Sequence, residues 1–177
     1  MSSSATLSVL TVNDVYDVVP NEHGIGGMAE MATMLKRERA AIPPSHTTLT
    51  TINGDFLSAS QAGELFYKGY GRVFKVLTAT CMATAHMIDL LNHMDIDFAV
   101  FGNHEFDFGA DILAQRVQES KFRWFGSNVK ERATGGLFAN ATDTLLLPIG
   151  PDGALKLGIF GICTPETPQL SFPGDRV

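Results

Sequence analysis

The 177-residue sequence predicts an α/β fold, a mostly parallel sheet with flanking helices, on three observations. Apolar, β-branched runs alternate with helix-periodic runs. The apolar runs are near-continuous, as expected of strands covered on both faces, and the first three break at short polar or glycine-containing turns. A Gly-Pro-Asp-Gly turn at 150–153 adds a hairpin, where a second, mixed part of the sheet begins.

The elements follow in order. "TLSVLTV" (6–12) predicts a first strand that breaks at Asn13-Asp14. "GGMAEMATMLKRERA" (26–40) predicts a helix with Met28, Met31, Ala32 and Leu35 on one stripe, stopped by Pro43-Pro44. "TLTTI" (48–52) is a second strand ending at Asn53-Gly54-Asp55, followed by a loop containing glycines and tyrosines. "AHMIDLLNHM" (85–94) is an amphipathic helix with Met87, Ile88, Leu91 and Met94 inward, and "DFAVF" (97–101) a third strand ending at Gly102-Asn103. "ADILAQRVQESK" (110–121) and "RWFGSNV" (123–129) add a helix and a shorter strand before the hairpin.

Composition narrows the class. With 45% hydrophobic residues the chain can pack a core as one domain or a large part of one. A net charge of -6 without a clustered basic face excludes a nucleic-acid footprint. The basic run "KRERA" (36–40) falls near a helix C-terminus, where cations oppose the macrodipole. Two cysteines, Cys81 and Cys163, read as buried thiols rather than a disulfide framework. No signal peptide or membrane span is legible, so the expectation is a cytoplasmic protein that engages neither membrane nor nucleic acid.

Chemistry concentrates at strand ends. Asp14, Asp55 and Asn103 each follow an apolar run, at spacings of the order of one βα unit. Parallel strands point their C-terminal ends one way, so the three side chains are expected on one rim, where open α/β sheets bind ligands. Two carboxylates and an amide oxygen form a hard, oxygen-rich site suited to divalent cations. In "AVFGNHEFDFG" (99–109), His104 and Asp107 are spaced to face each other across a turn. Asp107 would then hold a charged imidazole, and His104 could steady a phosphate oxygen and protonate a leaving alkoxide.

"TVNDVYDV", "NGDFLSAS" and "GNHEFDFG", in this order, resemble the first three motifs of the calcineurin-like metallophosphoesterases, nearest the 5'-nucleotidase and 2',3'-cyclic phosphodiesterase branch. "GGMAEMATMLKRERA" and "KLGIFGICTPET" are similar to that branch too, so the resemblance covers nearly the whole chain. It implies the first half of a four-layer αββα sandwich and two divalent metal ions (Mn, Mg or Zn). It also implies hydrolysis of nucleotides or related phosphate esters. Residue by residue, it implies that Asp14 binds the first metal, Asp55 bridges, Asn103 binds the second, and His104 with Asp107 forms the catalytic dyad.

Two departures stand out. Tyr16 occupies the position where the family's first motif carries histidine; it either packs or ligates, and the first metal is weakly held, held by a phenolate, or replaced by harder ions. No histidine follows His104, although related enzymes complete their site with later ones. Residues 1–177 are therefore expected to be the N-terminal part of a catalytic domain, with an exposed sheet edge that invites self-association. The alternative is a non-catalytic phosphate- or partner-binding relic of the fold. Glu105 reads as structural or a salt-bridge partner, His23, His46, His86 and His93 as surface or capping residues, and "HGIGG" (23–27) as a helix entry. Neither Ser58 nor Ser60 has the histidine spacing of a serine nucleophile.

Overall fold

Strands β1 (Leu7–Val12), β2 (Thr47–Asn53), β3 (Phe98–Val100) and β4 (Arg123–Phe125) form a four-stranded sheet in that order, and every pair is parallel. These elements come from a computed structural model, which describes residues 4–58, 84–150 and 153–177. Helix α1 (Met28–Ala41) connects β1 to β2, a helix over 84–92 (α2) precedes β3, and α3 (Ala110–Glu119) connects β3 to β4. Strands β5 (Thr144–Ile149) and β6 (Leu155–Phe160) pair antiparallel as a separate two-stranded sheet. This is the mixed α/β architecture the alternation predicts. The loop between β2 and α2, with Ser60 and Cys81, lies outside the described residues.

The helical stripes pack as their periodicity requires. Met28 and Leu35 of α1 and Met87, Ile88 and Leu91 of α2 are buried, as is Met94 just beyond, and Met31 and Ala32 lie partly buried against them. They meet Ile52, Ala99 and Leu113 in one core. Its aromatic centre is a stack in which Trp124 lies between Phe56 and Phe101, at ring separations of 5.3 and 4.8 Å. Phe101 touches Phe106 and Phe138 in turn. Burying each such ring contributes on the order of 2 kcal/mol. Phe56 and Phe106 directly follow Asp55 and precede Asp107, so the core anchors both polar loops.

Two boundaries and the coverage of one sheet face differ from the pattern. β4 ends at Phe125 because Gly126 presses against Phe101, whose ring would lie 2.6 Å from a Cβ there, and the chain turns with Val129 N–H bonded to the Gly126 carbonyl. α3 stops at Glu119 because Ser120 bonds back to the Arg116 carbonyl. Coverage on both sheet faces, expected from the apolar runs, is incomplete at β1. Val9 is 48% exposed, and Thr11 binds Thr51 and Asn53 on the open face. Threonine and asparagine within the apolar runs are the residues that leave this side wettable.

Candidate active site

The loops after β1, β2 and β3 meet at one end of the sheet. Asp14 and Asp55 both take left-handed backbone, at φ 53 and 59, a conformation short polar side chains adopt more readily than others. The Asp14 N–H donates to the Gly54 carbonyl at 3.3 Å, joining the first two loops. Gly54 and Gly102 join the second and third: a Cβ on Gly54 would lie 2.8 Å from the Gly102 Cα, and one on Gly102 would lie 2.2 Å from Asp55 Oδ1. Only paired glycines let these backbones touch.

On the third loop, residues His104–Phe106 form one 3₁₀ turn. Its geometry turns His104 and Asp107 outward together while Glu105 and Phe106 are buried. His104 Nδ1 lies 2.8 Å from Asp107 Oδ2, and Ser171 Oγ donates to Asp107 Oδ1 at 2.6 Å. The bond to Asp107 holds the imidazole pKa above its ordinary value, against a smaller opposing effect of burial. The His104 backbone N–H donates to Asp55 Oδ1 at 3.0 Å, so the histidine and the second-loop aspartate share a direct contact. Asn103 sits between Gly102 and His104 in this same turn.

Tyr16 completes the first loop. Its hydroxyl donates to Asp14 Oδ1 at 2.8 Å, and its ring stands edge-on to His104 with centroids 6.0 Å apart. Burial and the Asp14 bond push the phenol pKa up, so Tyr16 stays a neutral donor in this arrangement. Asn13 bonds the other oxygen of Asp14, and the two bonds, with Tyr16 the larger influence, hold the Asp14 carboxyl below its usual range. A cleft of about 560 Å³ opens beside this loop, lined by Asp14, Tyr16, Gly26, Gly27, Glu30 and Arg37. The "HGIGG" segment does lead into α1 there.

Glu105 is 2% exposed and binds no salt-bridge cation among the described residues. Its Oε1 accepts the N–H groups of Phe56 and Leu57, and its Oε2 those of Asp55 and Gly102. Burial raises its pKa, yet four N–H donors leave no oxygen placed to donate, which is the environment of a carboxylate. Ser171 was not legible at all: it reaches Asp107 from 64 residues away, and no local pattern marks it. His46 pairs with Ser8, and His93 with the Asp89 carbonyl, both away from the rim; His23 is exposed. Cys163 is a buried free thiol beside Thr167, its pKa raised by burial.

The donor chemistry of the rim fits a hard divalent cation, since Asp14, Asp55 and Asn103 offer only oxygen or amide groups. Among the described residues no group of three His, Cys, Asp or Glu stands close enough to hold an ion.

No protein-family model matches the chain. It is 28% identical to human 5'-nucleotidase over 185 residues, covering 97% of this chain and 28% of that protein. It is 27% identical to a 2',3'-cyclic-nucleotide 2'-phosphodiesterase/3'-nucleotidase of Haemophilus influenzae, covering 90% of this chain and 23% of that one. Among solved structures, NAD nucleotidase from Haemophilus influenzae superposes with a TM-score of 0.73 at 23% identity, over 96% of this chain and 28% of its own. The chain thus spans about a quarter of the length of these relatives. The fold is that of the calcineurin-like phosphoesterases. The sequence relatives include 5'-nucleotidases and a 2',3'-cyclic-nucleotide 2'-phosphodiesterase/3'-nucleotidase.

Proposed function

We propose that the natural protein carrying this sequence is a metal-dependent phosphoester hydrolase acting on nucleotides or related small phosphate esters. In this reading the chain forms the N-terminal part of its catalytic domain. The observation that carries it is the His104–Asp107 pair, 2.8 Å apart, with the backbone of His104 bonded to Asp55. A proton-bearing imidazole is thereby fixed beside oxygen ligands. Asp14 and Asn103 would each hold one of two ions, and Asp55 would bridge them. Divalent ions, when bound, supply Lewis acidity toward phosphoryl oxygens and a nucleophile at neutral pH.

The chain's own groups do the rest. Asp107, held by Ser171, fixes the imidazole so that Nδ1 faces the carboxylate and Nε2 is the nitrogen available to substrate. From there His104 donates a hydrogen bond to a phosphate oxygen and passes its proton to the leaving alkoxide. Tyr16, as a neutral donor, keeps Asp14 oriented and favours Mn²⁺ or Mg²⁺ over softer ions at the first position. The relatives are named as hydrolases, which argues against a non-catalytic binding relic.

The test is phosphate release from nucleoside monophosphates, 2',3'-cyclic nucleotides and an aryl phosphate by the natural protein, with Mn²⁺, Mg²⁺ or Zn²⁺. Expected is metal-dependent turnover that His104→Ala and Asp55→Ala each lower by at least a hundredfold. Lack of turnover on all three substrates with every metal would overturn the proposal.

A further inference from the structure

We propose that Glu105 is a positioning residue, the clip that sets the separation between the loop bearing Asp55 and the loop bearing Asn103 and His104. The inference rests on the metal-site reading above for its consequence, but the clip itself stands on bonds within the chain.

The geometry is specific to a carboxylate of this length. Glu105 projects from the third loop into the second and binds three consecutive N–H groups there, those of Asp55, Phe56 and Leu57, at 2.8, 2.8 and 3.2 Å. With Oε2 it also binds Gly102 N–H of its own loop, at 2.7 Å. The Oε2 atom therefore joins the two strand ends at one point. At the same junction, the His104 N–H donates back to Asp55 Oδ1. Glu105 to the Asp55 backbone, and Asp55 to the His104 backbone, close a reciprocal ring in which each acid holds the other's loop. Charge-assisted bonds of this kind are roughly twice as strong as neutral ones, and both glycines at the contact leave the backbones no side chain to separate them.

Function follows from direction. Three donors in succession fix the φ/ψ course of residues 55–57 while Asp55 holds left-handed backbone at φ 59. That course aims the Asp55 side chain at the rim while Phe56 enters the core. Without the clip, Asp55 would lose the constraint on its backbone course, and the His104 N–H would lose a fixed acceptor. Glu105 touches neither substrate nor ion; it acts through Asp55 and His104.

The experiment compares the 177-residue chain with Glu105→Gln, an isostere whose amide NH₂ would face N–H donors. Two readouts are taken: Mn²⁺ binding by electron paramagnetic resonance, and amide hydrogen exchange resolved by NMR, with circular dichroism as the fold check. Expected in folded Glu105→Gln is at least tenfold faster exchange at the amides of Asp55, Gly102 and His104, with Trp124 and α3 unchanged, and at least tenfold weaker Mn²⁺ binding. Unchanged exchange at His104 together with Mn²⁺ affinity within twofold of wild type would overturn the clip. Should the wild-type chain bind no Mn²⁺, the metal-site reading fails separately, and His104 exchange alone decides the clip by the same criterion. Should the variant not fold, the wild-type chain decides it: the amides of Asp55, Gly102 and His104 are expected to be protected from exchange, and exchange of all three at the rate of an open chain would refute the clip.

Discussion

At the scale of single residues, the rim uses few side chains and makes each serve twice. Asp55 accepts the His104 backbone N–H on one oxygen and, in the proposed site, would offer the other to an ion, while Asp107 divides its two oxygens between His104 and Ser171. The histidine's raised pKa carries a signed consequence. The stabilisation from the His104–Asp107 pair is present in full below the ordinary histidine value of 6.5 and fades as pH rises through the raised folded value. The pair is partly exposed, so the effect is worth below about 1 kcal/mol. In the metal-free chain, the His104 ring signals are expected to titrate above 6.5, and Asp107→Asn to bring the midpoint down. A wild-type midpoint at or under 6.5 would show that Asp107 does not hold the charged form. Gly102→Ala places a Cβ 2.2 Å from Asp55 Oδ1 and is expected to cost about 1–3 kcal/mol, read as a lowered denaturation midpoint.

At the scale of elements, much was legible and the losses have physical causes. The three strand ends and the histidine–aspartate turn could be read because apolar runs stop abruptly at residues with oxygen side chains, and because a three-residue spacing is local information. The contribution of Ser171 could not, since a lone serine beyond a short helix carries no pattern. Glu105 reads as structural or a salt-bridge partner; the structure gives it backbone N–H partners instead of a cation, and such partners leave no mark in a sequence. The "KRERA" run illustrates the same limit. It reads as macrodipole compensation, yet Arg39 reaches across to Thr50 Oγ1 and to the carbonyls of Met94 and Asp95, at 2.6 to 2.9 Å from one nitrogen. It ties α1 to β2 and to the turn before β3. Arg39→Ala is therefore expected to lose about 2–3 kcal/mol of stability in a urea titration, well above the few tenths expected of a surface charge. A loss under about 0.5 kcal/mol would reduce Arg39 to that surface role.

At the scale of the whole molecule, two surfaces matter. The outer face of β5 and β6 exposes Leu146 and Phe160, 67% and 62% accessible, with Ile162 beside them. An apolar strand face of this kind favours association between copies. Sedimentation of the 177-residue chain is expected to show concentration-dependent assembly that Phe160→Ser diminishes, and a strictly monomeric wild type would remove this expectation. The rim is the other surface. With its partial set of oxygen ligands, the chain alone is expected to turn over an aryl phosphate with Mn²⁺ more than tenfold more slowly than a full-length relative, with Asp55→Ala as the control for contaminants. Turnover within tenfold would contradict it.

The strand pairing also orders events in time. β5 and β6 are joined by a short turn and can zip within microseconds, whereas each pairing in the four-stranded sheet must first close a loop that contains a helix. Glu105 cannot reach the amides of Asp55, Phe56 and Leu57 until β2 and β3 lie side by side in register. The rim is thus expected to assemble late on the path to the native state, after the hairpin and the individual helices. The His104 ring signal should accordingly recover only with the slowest refolding phase, making the would-be proton donor a reporter of when the chain has finished folding.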